Sequence, residues 1–269
     1  MGWGDFVESQ MNNSIPKKNL TIWILPIIFL VIQNLPEYIG LGIVGALFLL
    51  LIFLKVSRKV TLLLMLSICG YFSWSFLSPL ILVFVDNPMI EPTMARFALV
   101  GYITIFAVWN LFAKVETSYL SIGRAKEIIR FPLIWQGRKE PIWRFILIFC
   151  CICMFPLCFG IFSRKPTLAL LGYGVLFATV NSLLEEIVWR GLILPRAVSL
   201  VGEKQALIIT ALSFGMYHIS FGFPIWACLI FSVGGIYMGG TSIMSKGLLA
   251  PFVMHLFVNM IFVVFGMII

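Results

Sequence analysis

Residues 142–163 read IWRFILIFCCICMFPLCFGIFS, and Arg144 is the only charged side chain among them. A helix needs about 17–25 predominantly apolar residues to cross the hydrocarbon core of a bilayer, so this stretch predicts a membrane span. Similar runs stand at 20–33, 38–54, 61–85, 97–113, 167–184, 206–219, 224–239 and 247–269. Some are short, and eight or nine crossings are expected. The composition agrees: the 269 residues are 61% hydrophobic, with a mean hydropathy of +1.06. Soluble domains contain about 45–50% apolar residues. Short segments of alternating polarity, which a membrane barrel needs, are missing from the sequence. The expected fold class is all-α, a polytopic bundle of membrane helices.

The opening run carries Cys150, Cys151, Cys153 and Cys158, and the other two cysteines, Cys69 and Cys228, also lie in apolar runs. Metal-bound thiolates would have to be held deprotonated while facing lipid or neighbouring helices, so these side chains read as small packing residues. They predict no disulfide framework.

The formal net charge is +8 at pH 7, from 19 Lys and Arg against 11 Asp and Glu. With the N-terminus inside, sixteen basic residues fall on cytoplasmic segments: Lys17, Lys18, Lys55, Arg58, Lys59, seven between 114 and 144, Arg190, Arg196, Lys204 and Lys246. Arg96, Arg164 and Lys165 remain on the other side. This asymmetry follows the positive-inside rule and predicts a multi-pass cell-membrane protein with a cytoplasmic N-terminus. Basic segments at a membrane surface also attract anionic lipid, the expected partner of this charge. No nucleic-acid motif accompanies it, and nucleic acid is not an expected partner.

Residues 1–19 are polar and predict a cytoplasmic tail. The first apolar run ends in Gln33-Asn34-Leu35-Pro36 without a small-residue cleavage site, so it is expected to be retained. Phe6 stands where N-myristoylation requires Ser or Thr, and the chain ends without a prenylation cysteine. Residues 20–113 form a first group of membrane helices with few ionisable groups. Residues 114–141 are polar and basic, punctuated by Pro132, Gly137 and Pro141, and predict a cytoplasmic loop with a short amphipathic helix at the membrane surface. Residues 142–269 form a second group, and past residue 165 polar side chains enter the apolar runs.

The sharpest intrusion is NSLLEEIVWRGLI, residues 181–193. A charged side chain within a bilayer costs about 2.5–3.5 kcal/mol on insertion scales and persists when paired or functional. Glu186 and Arg190 are four apart on a helix and share a face, which suits an ion pair or a charged cluster at the interface. Glu185 is rotated about 100° from Glu186 and needs another reason. The only two histidines supply one. His218 follows Phe214 by four residues, and His255 precedes Asn259 by four, so each pair projects from one helical face. A lone buried histidine is more often structural. Two of them together with a carboxylate and an amide form the set that water-driven peptide hydrolysis requires.

Glu185-Glu186-x-x-x-Arg190, Phe214-x-x-x-His218 and His255-x-x-x-Asn259, in this order on successive membrane helices, resemble the CPBP (Abi) intramembrane endopeptidases. That group includes the Ras-converting CAAX endopeptidases and bacteriocin-processing enzymes. The resemblance covers about residues 166–265. It implies a helical bundle around a water-filled cavity open to the cytosol, and an intramembrane protease acting on a membrane-associated protein or peptide precursor. It makes Glu185 the general base, His218 the group that positions water, and His255 with Asn259 the pair that faces the carbonyl. Glu186 and Arg190 would support Glu185, with Phe214 beside them. A catalytically silent scaffold or a bacteriocin self-immunity protein on the same fold is the alternative.

Other intramembrane chemistries lack their residues. A zinc enzyme of the site-2 type needs HExxH, which is absent. An aspartyl enzyme needs two membrane aspartates, and the only two here are Asp5 and Asp86. Ser242 as a nucleophile with His255 as base leaves Glu185 and Asn259 idle. Glu185, His218 and His255 are also a donor set for zinc, but Asn259 in place of another anionic ligand favours a metal-free water. No cofactor is expected. A transporter should show repeated broken helices in both halves, and none is visible.

Overall fold

The computed structural model describes residues 21–34, 58–112 and 119–268, with helical residues 39, 42, 43, 45, 46 and 49 between them. The tail 1–19, most of the run 38–54 and positions 114–118 lie outside the described residues. Helix α1 spans Ile24–Val31 and ends in a 3-10 turn, Ile32–Asn34. Helices α2 (Arg58–Leu82), α3 (Glu91–Arg96) and α4 (Leu99–Phe112) follow. Strands β1 (Ile128–Leu133) and β2 (Gln136–Pro141) lead into α5 (Ile142–Arg164). Helix α6 (Leu168–Glu186) continues through a π-helical segment, Ile187–Ile193, into α7 (Leu194–Val201). Helix α8 (Glu203–Tyr217) ends in a 3-10 turn, His218–Phe221. Helices α9 (Ile225–Ser245) and α10 (Leu249–Val264) complete the order.

Five helical stretches among the described residues are long and apolar enough to cross a membrane: Arg58–Leu82, Glu91–Leu111, Ile142–Arg164, Leu168–Val201 and Ile225–Ser245. The chain is a multi-pass helical membrane protein. The expected runs 206–219 and 247–269 appear as α8 and α10, of 15 and 16 residues. At about 1.5 Å per residue these are shorter than a ~30 Å hydrocarbon core.

Local chemistry accounts for the breaks. In lipid the backbone must satisfy its own polar groups, which makes every span a helix and leaves Pro79 and Pro156 tolerable within them. Lys165 and Lys246 take left-handed backbone conformations at the ends of α5 and α9, where their N–H groups close the last turn. The Thr167 hydroxyl accepts from the Leu170 N–H at 3.1 Å and caps the start of α6.

Two kinds of packing hold the site helices. Helices α8 and α9 meet backbone to backbone: a Cβ on Gly215 would lie 2.2 Å from the Cys228 carbonyl oxygen, and one on Gly235 3.1 Å from the Ala211 Cα. Only small residues permit that approach. Elsewhere aromatic rings bind the first group of helices to the second. Phe29 of α1 meets Trp189 of the π segment at 5.2 Å, and Trp74 of α2 meets Tyr217 of α8 at 5.5 Å between centroids.

The polar loop holds a β-hairpin where an amphipathic helix was expected. Strands β1 and β2 pair antiparallel from Ile128 opposite Pro141 to Leu133 opposite Gln136. Ile134 and Gly137 at the turn have positive φ, which a helix cannot accommodate. Buried Ile134 seats against Gly240, and Glu140 binds both Arg138 and Arg144 at 2.7 Å. The segment before the hairpin is fixed to the junction of α9 and α10: Arg124 N–H donates to the Ser245 carbonyl at 2.8 Å, and Leu248 N–H to the Ser121 carbonyl at 2.8 Å. The hairpin therefore marks the end of the bundle where α9 stops and α10 starts.

Candidate active site

Glu185 and Glu186 close helix α6, and Arg190 lies in the π segment after them. Such widened turns are frequent at functional sites. All three are buried, at 1%, 0% and 3% exposure. Arg190 Nη1 donates to Glu186 Oε1 at 2.8 Å, the ion pair that their spacing predicts. The guanidinium also covers the Phe214 ring, with Cζ 4.5 Å from its centroid.

Glu186 has a second partner that spacing does not reveal. His255 Nδ1 lies 2.7 Å from the same Oε1. A carboxylate at this distance accepts a hydrogen bond, so Nδ1–H donates, and in the neutral imidazole Nε2 remains an acceptor. That Nε2 lies 3.7 Å from Glu185 Oε2, an atom without a hydrogen-bond partner among the described residues. His218 is arranged in the same way: its Nδ1 lies 2.7 Å from the Phe214 carbonyl oxygen, which can only accept. Phe214 stands edge-on to both imidazoles, 4.7 Å from His218 and 5.8 Å from His255. Asn259, one turn beyond His255, donates through Nδ2 to Ser182 Oγ at 3.0 Å.

Glu185, His218, His255 and Asn259 thus line one cavity of about 290 Å³. The rest of its wall is largely aromatic, including Phe149, Phe177, Phe223 and Phe231. Phe214 joins that wall, while Glu186 and Arg190 sit behind it. Among the described residues no three His, Cys, Asp or Glu side chains are grouped to hold a metal ion.

Two residues of the site escaped the sequence reading. Ser182 holds Asn259, and its place one turn before Glu185 could have suggested it. Arg96, counted above with the surface charges, is only 13% exposed in its side chain, with Nη1 3.5 Å from Glu185 Oε1. Its sequence signal was slight: a lone arginine at the edge of an apolar run. Arg96, Arg190 and Arg196 all lie inside the bundle and leave the surface-charge comparison.

The cavity lies toward one end of the bundle. Its walls include Phe223 before α9 and Ile268 after α10. These residues and the hairpin stand at opposite ends of both helices.

Comparison with known proteins bears on the same helices. The family model for type II CAAX prenyl endopeptidase Rce1-like proteins matches residues 167–261. This segment is similar to that family, in agreement with the CPBP and CAAX endopeptidase resemblance, and it includes every polar residue of the cavity described above except Arg96. No curated protein and no solved structure matches the chain.

Proposed function

We propose that this protein is an intramembrane endopeptidase that hydrolyses a peptide bond of a membrane-associated protein or peptide precursor, CAAX-type, pheromone or bacteriocin-like, with water activated by Glu185. The observation that carries this reading is the facing pair of acceptors, Glu185 Oε2 and His255 Nε2, 3.7 Å apart in an apolar cavity. Two acceptors attract each other only through a donor between them, and one water molecule can donate to both. Glu185 takes a proton from that water as its oxygen attacks the scissile carbonyl carbon. Negative charge then gathers on the carbonyl oxygen, and the Asn259 amide, oriented by Ser182, supplies an N–H donor to it. The C–N bond breaks as Glu185 returns the proton to the leaving amine. The Nε2 of His218 accepts from water or from the amine on another wall of the cavity.

The direct test is full-length protein in liposomes with a quenched-fluorescent farnesylated CAAX-type peptide, alongside quantitative peptidomics of membranes from deletion and Glu185→Ala strains. Cleavage products that depend on Glu185 support the reading. An unchanged peptidome together with an intact peptide favours the silent scaffold or immunity protein. Asn259→Ala is expected to lower kcat by about 10²–10³ with little change in KM, the cost of one lost oxyanion donor. Equal losses in binding and rate would assign Asn259 a structural role.

We also propose that the protein sits in the cell membrane with its N-terminus and hairpin in the cytosol, supported by the basic residues clustered at the hairpin end. In a cysteine-free background, an impermeant maleimide applied to intact cells should label Asn87→Cys and spare Gln136→Cys. The reverse labelling overturns the orientation and turns the Phe223 end of the cavity to the cytosol.

A further inference from the structure

Glu185 is a buried carboxylate in a largely aromatic cavity, a costly arrangement unless a cation stands near it. Its neighbour Glu186 is served by Arg190 and His255. The cation beside Glu185 comes from the other half of the chain. Arg96 ends the short helix α3, whose one turn and a half, with Pro92 in its first turn, packs against α6. Its guanidinium lies against the Phe221 ring, with Cζ 4.1 Å from the centroid, and 5.6 Å from that of Phe177. Aromatic faces orient a planar guanidinium, and here its Nη1 lies 3.5 Å from Glu185 Oε1, an ion pair rather than a hydrogen bond.

We infer that Arg96 is a positioning residue for Glu185: it engages Oε1 and so keeps Oε2 turned toward His255 and the cavity. The inference rests on the reading of Glu185 as the base. Nη1 stands 3.5 Å from Oε1, and the opposite oxygen, Oε2, faces His255 Nε2 at 3.7 Å. The carboxylate thus has a cation beside one oxygen, while the other is left unpartnered opposite His255. Without the cation, both oxygens become equivalent and the group is free to rotate away from His255. Arg96 also lies outside the Rce1-like segment 167–261, so the working site is built from both halves of the chain.

Full-length Arg96→Gln and Arg96→Lys proteins, assayed on the farnesylated quenched peptide, test this. Arg96→Gln should lower kcat by about 100-fold with KM nearly unchanged, the scale of a misplaced catalytic group, and Arg96→Lys should recover most of the rate. A second readout needs no turnover. Dicyclohexylcarbodiimide attacks carboxyl groups that lack a counter-cation, so mass spectrometry should find Glu185 modified faster in Arg96→Gln than in wild type or Arg96→Lys. If Arg96→Gln does not fold, Phe221→Leu, which keeps the charge but removes the ring beneath it, should show intermediate losses in both readouts. Unchanged kcat, a rise in KM alone, or equal carbodiimide labelling of Glu185 overturns the inference. A wild type that cleaves nothing refutes the proposed function instead, and the labelling still decides whether Arg96 governs Glu185.

Discussion

Glu185→Gln is expected to abolish cleavage and leave the purified protein as stable as wild type. Glutamine keeps the shape of the side chain, and its carbonyl oxygen can still face Arg96 Nη1, which lies 3.5 Å from Glu185 Oε1. The change removes the carboxylate proposed to take a proton from water and return it to the leaving amine. Lost acid–base catalysis costs about 10²–10⁴ in rate. Here the attacking water also loses one of the two acceptors that hold it, which adds a positional cost. Initial rates on the quenched peptide and thermal unfolding in detergent, measured on one preparation, check both halves. Full activity in Glu185→Gln ends the glutamate-base proposal, and a collapsed melting temperature returns Glu185 to a structural role. Strong chelators are expected to leave wild-type cleavage intact, because among the described residues no three His, Cys, Asp or Glu side chains are grouped to hold a metal ion. Chelator-sensitive activity restored by zinc would make Glu185, His218 and His255 a metal centre.

The parts of the site that were legible in the sequence are those set by one helix. Glu186 and Arg190, or His255 and Asn259, share a face because 3.6 residues make a turn, whatever the rest of the chain does. Apolar length likewise announces a membrane helix before any packing is known. Contacts between helices carry no such period. Arg96 meets Glu185 across 89 positions of sequence, and His255 meets Glu186 across 69. Both depend on how α3 and α10 lean on α6, which is set by fits such as Gly174 on Val263 and Arg96 on the Phe177 ring. The hairpin was obscured for a related reason. Its basic residues read as a solvated loop, while its fold is set by Ile134 seating on Gly240, more than 100 residues away.

The second glutamate carries the other large effect. Spacing alone casts Glu186 as a structural partner of Arg190, whereas the structure has the same Oε1 hold His255 as well. Glu186→Gln should therefore damage two things at once. Arg190 is 3% exposed, and removing its counter-charge leaves a buried cation unpaired, a loss of about 3–5 kcal/mol. The melting temperature and the yield of folded protein should fall accordingly. In the fraction that folds, His255 loses the carboxylate that fixes its Nδ1–H, and the ring can turn or exchange tautomers. Nε2 then ceases to be a fixed acceptor opposite Glu185. Turnover should drop with little change in KM, in contrast to Glu185→Gln, where stability is kept and turnover vanishes. The double variant Glu186→Gln, Arg190→Met separates the two losses, because it removes the unpaired cation while His255 remains unanchored. It should regain stability without regaining rate. Recovery of both would reduce Glu186 to a counter-ion, and recovery of neither would place its main role in the packing around Phe214.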